Sequence, residues 1–570
     1  MPHAQSNISS GFQALILCGP GVSLNTFTSN QDVSPKALLP VANRPMVWYP
    51  LEWCYRMGIS QIHLVTPPIS AAALEAALAT NPHLTSLPHP KPDVLAPADL
   101  SQNTGTAALL RLPEVQAVIT GDFIVLPCDV LCELSGESLL EAWMIQHAAL
   151  GAAPRALTHG QPSNPLGGER TGRRGGLGVW YDTKGIENVK TPETDFIMTA
   201  PWARDLPPTA SGALLPHIAN LVYTVPTDTL KDITEQQKSL PIRHALIRTH
   251  AAVKMRTTYR DAHIYFFPYW TLEMIRRNEI FDSISEDVIG WWAKAGWQEG
   301  LADKLGLRPL FQRVSHPDGE EVVQGSEQPK AEIDLGSMST TWTSTVNAQH
   351  GAGEKDRTAS TKLASRTHRV DAPAARAPDE AQRGGRAVIP PMLAYVQPSL
   401  PTRPMIRRCD TTPLLLALSL QLAKLSALDA DDATTHHPHA HKAKIADRSG
   451  VAARSTVTTA DCLLGENVMV EEKCVIKESV LGAGCKVESG ARLTRCLLMD
   501  GVVVGEKAQL SGCVLGTRCA VGKEAVLRDC EVQEAYAVPE KSDAKNEKFM
   551  MFEGLEDDEP EEAVGDVSDS

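Results

Sequence analysis

Between residues 464 and 531 the chain repeats itself four times without a gap, in units of 17 residues. The first position of the unit holds Leu464, Leu481, Leu498 and Leu515, the seventh Val470, Val487, Val504 and Val521, and the thirteenth Ile476, Leu493, Leu510 and Leu527. The aliphatic spacing is therefore six, six, five. A helix of period 3.6 cannot place side chains this way, whereas a triangular coil of three short strands puts one aliphatic residue per side inward. Small residues fill the places between: Cys474, Ala491, Ala508 and Ala525 at position 11, and Ser479, Cys496, Cys513 and Cys530 at position 16. Because repeats decide an architecture before any local propensity does, this one fixes the C-terminal part of the chain.

The pattern is the hexapeptide-repeat signature of a left-handed parallel β-helix. A less regular coil, 447–463, precedes the four regular ones. Its Cys462 keeps the position-16 column, but Val451 and Val457, six apart, fall out of phase. Seven of the twelve cysteines lie in the coils with no CxxC pair among them, so they read as small buried hydrophobes rather than metal ligands. Acyltransfer on such a solenoid needs a general base, and no His lies between 447 and 531. The solenoid therefore reads as structural, with flat faces and ends suited to association with another chain.

The N-terminal half has a different grammar. Residues 13–18 form an apolar strand running into the turn Gly19-Pro20-Gly21; Ser34-Pro35-Lys36 follows, before an apolar stretch. A helix is expected from Pro45 to Met57 with Gly58 beyond its end, then a strand at 62–65, a helix at 71–79 and a strand at 121–127 ending in Cys128-Asp129. Strand alternating with helix predicts a mostly parallel, Rossmann-like α/β sheet, with ligands beyond the strand carboxyl ends. There a glycine turn offers N–H groups to phosphate, a lysine neutralises charge and an aspartate holds Mg²⁺. Taken singly, each also has a plain reading as turn, solvated cation or cap.

The ordered set Leu17-Cys-Gly-Pro-Gly-Val-Ser-Leu24, Pro35-Lys-Ala-Leu-Leu-Pro-Val41, Gly105-Thr-Ala107 and Cys128-Asp129 resembles the nucleotidyltransferase domain of sugar-nucleotide pyrophosphorylases. That family also joins such a domain to a left-handed β-helix. The resemblance implies a nucleotide and phosphate pocket at Gly19, Gly21, Lys36, Gly105 and Thr106, with Asp129 as metal ligand. The family's loop ends in Gly-Thr-Arg or Gly-Ser-Arg; here those last two places are Val22 and Ser23. The planar donor fork that suits phosphate is missing. Pro20 also takes one N–H from the cradle. With Asn43-Arg-Pro-Met-Val-Trp-Tyr-Pro50, Asp261-Ala-His-Ile-Tyr265 and Ile406-Arg-Arg-Cys-Asp-Thr-Thr412, the pattern resembles one branch, the gamma subunits of eukaryotic translation initiation factor 2B. That likeness implies a non-catalytic regulatory subunit. Its partners would be an epsilon-like catalytic subunit, the other subunits of the exchange complex and initiation factor 2. No cofactor is required, though residual GTP or ATP with Mg²⁺ is an accompanying expectation. The epsilon branch adds a C-terminal helical domain, for which the sequence after the coils is expected to leave no room, and this expectation favours gamma. The alternative reading is an active sugar-1-phosphate nucleotidyltransferase.

The expected boundaries are an α/β domain at 11–315 completed by 390–430, a disordered insertion at 316–389, a linker at 431–446, the β-helix at 447–540 and an acidic disordered tail at 553–570. The tail holds nine Asp/Glu and no Lys/Arg, which is most of the net charge of −14. A near-neutral body with an acidic tail argues against direct nucleic-acid binding. The most apolar run, 414–428, is too short and too polar for a membrane span, and residues 1–10 lack a signal-peptide core; both point to the cytosol. The linker carries His436, His437, His439 and His441, read as linker composition with a metal site as the alternative. Trp291, Trp292 and Trp297 read as core packing.

Overall fold

The computed structural model describes residues 11–101, 103–145, 174–185, 189, 192–202, 213–311, 314–315, 321–322, 389–400, 403–428 and 437–551. The acidic tail, His436 and nearly all of the 316–389 stretch lie outside them. Among the described residues no helix is long and apolar enough to cross a membrane. The chain divides into two units. Unit one comprises 1–310 and 389–570, and within unit two (311–388) Val314–Ser315 pairs antiparallel with Glu321–Val322.

The main strands of the α/β part of unit one are β1 (Gln13–Leu17), β2 (Gln61–Val65), β3 (Asp93–Leu95), β4 (Phe123–Pro127), β5 (Val130–Cys132), β6 (Gly176–Asp182), β7 (Asp195–Ala200), β8 (Ile218–Pro226), β9 (Lys254–Phe267), β10 (Met392–Val396) and β11 (Ile406–Arg408). Nine of them build one sheet in the order β3-β2-β1-β4-β9-β6-β10-β8-β7. The first four are parallel, as the alternation of strand and helix demands, with Ala14 facing Ile62 on one side and Ile124 on the other. Seven strands share that direction; β9 and β8 run against it. Strand β10 enters after the insertion, parallel to β6, and so joins sequence-distant halves of the sheet. Trp292 and Trp297 are buried, with their indole N–H groups donating to the carbonyls of Pro390 and Val222. This is the core packing expected of them.

Helix α1 spans Trp48–Arg56, shorter than the sequence suggests. Its expected first residues instead close a hairpin, Pro40–Val41 against Arg44–Pro45, whose turn puts Ala42 and Asn43 at positive φ. Gly58, at φ +71°, lies beyond the helix as anticipated. Helix α2 spans Pro68–Thr80. Helix α3 spans Thr412–Ala423 with Thr411 at its N-cap, one residue before the Thr412 cap that the sequence suggests ahead of Pro413.

The C-terminal repeat folds into a parallel β-helix whose three sheets hold six, six and five strands. Regular coils pair each residue with the one 17 further on, as in Leu481 with Leu498 and Val487 with Val504. The stretch that looked out of phase is in register. Ile445 pairs with Leu464, Val451 with Val470 and Val457 with Ile476, each 19 residues apart. Its third corner carries two extra residues, which displaces its aliphatic columns in the sequence but not in space. The coil beyond Glu531 continues through Val532, Val538 and Ala544 to Phe549. All seven coil cysteines are buried and free, consistent with packing.

Helix α3 explains the most apolar run of the sequence. Leu415, Leu418 and Leu422 are almost fully buried, and Leu414, Leu416 and Leu420 nearly so. A helix apolar on every side must be covered on every side. One side packs on the α/β part; the other meets the strands of Val480 and Leu497, which share one apolar cluster with Leu463 and Val514, the outward position just before each inward Leu of the solenoid. Polar contacts bracket this seam. Thr26 donates to Glu531 at 2.7 Å, Gln533 to Ser29 at 2.8 Å, and Asn43 to the Leu481 carbonyl at 2.8 Å.

Candidate functional site

The turn after β1 has the geometry the glycines suggest. Gly21 sits at φ +77°, and a Cβ there would lie 3.0 Å from Lys36 Cβ and from a Thr28 methyl. Gly19 faces open space. Val22, in the place of the family's hydroxyl residue, is 70% exposed. Ser23 turns inward and donates to the Asp410 carbonyl. The Pro20 carbonyl accepts from Gln31.

Lys36 and Asp129 do converge, but on each other. Lys36 Nζ lies 2.6 Å from Asp129 Oδ2. Arg408, delivered by β11 pairing antiparallel to β5, donates through Nε to Oδ1 at 3.2 Å and through Nη2 to Oδ2 at 3.0 Å. Asp129 has no solvent exposure, and both its oxygens receive cationic donors. Burial pushes its carboxyl up, but Arg408 and Lys36 together hold it well below the usual carboxylate range. Burial pulls Lys36 down, yet the Asp129 carboxylate and the neighbouring Cys128 keep it above its ordinary value. The position expected to ligate a metal therefore carries the chain's own cations.

The network continues. Arg408 reaches Asp410 at 3.5 Å, and Asp410 accepts a forked pair of hydrogen bonds from Arg260, at 3.2 and 2.8 Å. Arg260 also pairs with Glu193. Beside it lie two carboxyls, Asp195 and Asp261. Burial raises Asp195 to about 6, while burial and the charge of Asp195 raise Asp261 to about 7. Asp261 accepts from the His263 N–H at 2.8 Å and the Tyr265 hydroxyl at 2.5 Å. Cys18 and Cys128, at the ends of β1 and β4, are both buried. The Cys18 thiol is held well above its ordinary value by its hydrogen bond to Cys128 and by burial.

Gly105 and Thr106 make a different alliance. A Cβ on Gly105 would lie 2.1 Å from Asp282 Oδ1, and Thr106 Oγ1 accepts from the Ile284 N–H at 2.9 Å. Among the described residues no hydrogen bond or ion pair joins either of them to Lys36 or Asp129. The glycine-rich sequence 160–178, with Arg170, Arg173 and Arg174, reads as a flexible, solvated loop with a phosphate contact as the alternative; Arg170 and Arg173 lie outside the described residues, while Arg174 is buried against Trp143. Sequence reasoning gave no role to Arg408, Asp410 or Arg260. The motif 406–412 pointed to their neighbourhood, but Arg408 meets Asp129 across 279 residues of chain.

The family described as the GMPPB C-terminal domain matches residues 450–546, the solenoid. A curated relative, "Translation initiation factor eIF2B subunit gamma" of Schizosaccharomyces pombe, is 24% identical over 319 residues, 56% of this chain. The chain is similar to eIF2B gamma. The match spans 59% of the eIF2B gamma relative's own length. The likeness to eIF2B gamma and the separate match of the solenoid agree with the resemblance carried by the motifs.

Proposed function

We propose that this chain is a non-catalytic regulatory and scaffolding subunit of an eIF2B-type guanine-nucleotide exchange complex in the cytosol. It pairs with an epsilon-like catalytic subunit and the other subunits of the complex, and so promotes exchange of GDP for GTP on initiation factor 2. One observation carries the reading: both oxygens of Asp129, the metal-binding place in the pyrophosphorylase family, are taken up by Lys36 and Arg408. A carboxylate so engaged would have to release two buried cations before holding Mg²⁺, and releasing one partner of a buried pair costs about 3–5 kcal/mol. Val22 and Ser23 support it, since neither gives the loop a cation for a triphosphate. The resemblance to eIF2B gamma supplies the partners.

Two measurements test this. Purified chain incubated with nucleoside triphosphate, Mg²⁺ and sugar 1-phosphates is expected to release no pyrophosphate above background. Co-expressed with an epsilon subunit, it is expected to co-purify and to accelerate release of labelled GDP from initiation factor 2. Pyrophosphate release at ordinary enzymatic rates would establish the nucleotidyltransferase alternative and overturn the proposal.

A further inference from the structure

Three side chains that play no part in the phosphate pocket converge at the joint between the α/β part and the solenoid. Glu133 follows β5. It is tied to Met405 by backbone and side chain, the Glu133 N–H donating to the Met405 carbonyl and Glu133 Oε2 accepting from the Met405 N–H, each at 2.8 Å. His437 Nε2 lies 3.0 Å from the other carboxylate oxygen. His439 is 1% exposed and packs edge-on against Tyr49 and Trp48 of α1. Neither of its ring nitrogens has a hydrogen-bond partner. A buried, unpartnered imidazole is costly unless something satisfies it. The segment that carries it is held in place by Arg44, whose two Nη atoms donate to the His439 and Ala440 carbonyls at 2.8 Å each.

We propose that Glu133, His437 and His439 form a binding site for a divalent transition metal, with zinc the ion that suits the donors. One donor atom from each residue already lies within 4.8 Å of the other two. Around Zn²⁺, with bonds of about 2.0–2.2 Å, tetrahedral ligands sit roughly 3.3–3.5 Å apart. The site therefore needs the His437–Glu133 pair to open by a few tenths of an ångström and His439 to move in. Two imidazole nitrogens and one carboxylate oxygen are a borderline donor set that favours zinc over Mg²⁺ or Ca²⁺. Water takes the fourth position, which the part-exposed His437 and Glu133 leave accessible.

The protonation states agree. Burial, with His437 and the nearby Arg56 and Arg44, lowers His439 to about 3, so its ring is neutral and ready to ligate at physiological pH. In the metal-free geometry His437 Nδ1 accepts from the backbone N–H of His439, at a long 3.2 Å, which leaves the His437 ring proton on Nε2 facing Glu133. Metal at Nε2 moves that proton to Nδ1 through solvent and gives up the long contact. Loading would pin the segment that enters the first coil to the strand that follows Asp129.

The test is a zinc titration of the chelator-treated full chain against a chromophoric competitor, with cobalt as a spectroscopic stand-in. The expected result is one equivalent of sub-micromolar affinity, and a visible cobalt spectrum of the four-coordinate type. His437→Gln and Glu133→Gln should each weaken it at least tenfold, and His89→Gln should not. His439→Ala is expected to abolish it; should that variant misfold, the two part-exposed positions decide. An equivalent that survives His437→Gln and Glu133→Gln, or binding only above about 100 μM, would overturn the proposal.

Discussion

Replacing Asp129 by Asn keeps the side chain's shape and one acceptor but removes its charge. Two cations then face each other across the buried Asp129 position, Lys36 and Arg408, whose side chains are 12% and 14% exposed. Three charge-assisted hydrogen bonds converge on the carboxylate, at 2.6, 3.0 and 3.2 Å. Each such bond contributes about 1.5–3 kcal/mol, but the two cations keep part of their solvation in the variant, so the sum is not the answer. Broken buried pairs cost about 3–5 kcal/mol, and that is the expected loss for the α/β transition in urea, followed by tryptophan fluorescence. Asp129→Ala should cost at least as much. Adding Lys36→Met to Asp129→Asn should recover part of the loss, because one of the stranded cations is gone. A loss below about 1 kcal/mol for Asp129→Asn would refute the reasoning, for it would mean the carboxylate is open to solvent or ion rather than clamped.

Asp195 and Asp261 predict a pH dependence. The unfolded carboxyls release their protons near pH 4, the folded ones near 6 and 7, so the folded state binds more protons in between. Their stabilising contribution is full below about pH 4 and falls as pH rises to 7; urea midpoints from pH 5 to 8 should decline, and Asp261→Asn should flatten the decline. Leu418→Ala, fully buried in α3, should cost about 2–5 kcal/mol and speed proteolysis between the α/β part and the solenoid. Gly482→Ala should destabilise the coils as read by thermal melting, since its Cβ would lie 2.4 Å from Asp500 Oδ1 and 2.7 Å from the Met499 backbone.

Periodicity made the solenoid readable, because one inward aliphatic per side leaves a six-six-five record that no helix can write. Its first coil reads as less regular for the same reason. A corner insertion shifts the count while leaving Val451 stacked on Val470. The parallel strands around β1 were legible as buried runs, and the convergence of Lys36 with Asp129 followed from their places after neighbouring strands. What they do there was not legible. The cation that closes the site, Arg408, comes from a three-residue strand and meets an aspartate 279 residues earlier in the chain. The histidine pair was ambiguous too, since Glu133 is some 300 residues earlier and nothing local announces it. The outward column Leu463, Val480, Leu497 and Val514 stood in plain view, but a solenoid's outer face is normally polar, and the flat surface was assigned to another chain rather than to α3.

That leucine-clad helix, gripped from both flanks, has a practical corollary. Any cut made to free one half of the molecule hands one fragment a greasy rod and leaves the other a bare trough, each prone to clump with its own kind. Deletion series across this boundary would thus report stickiness before they reported biology.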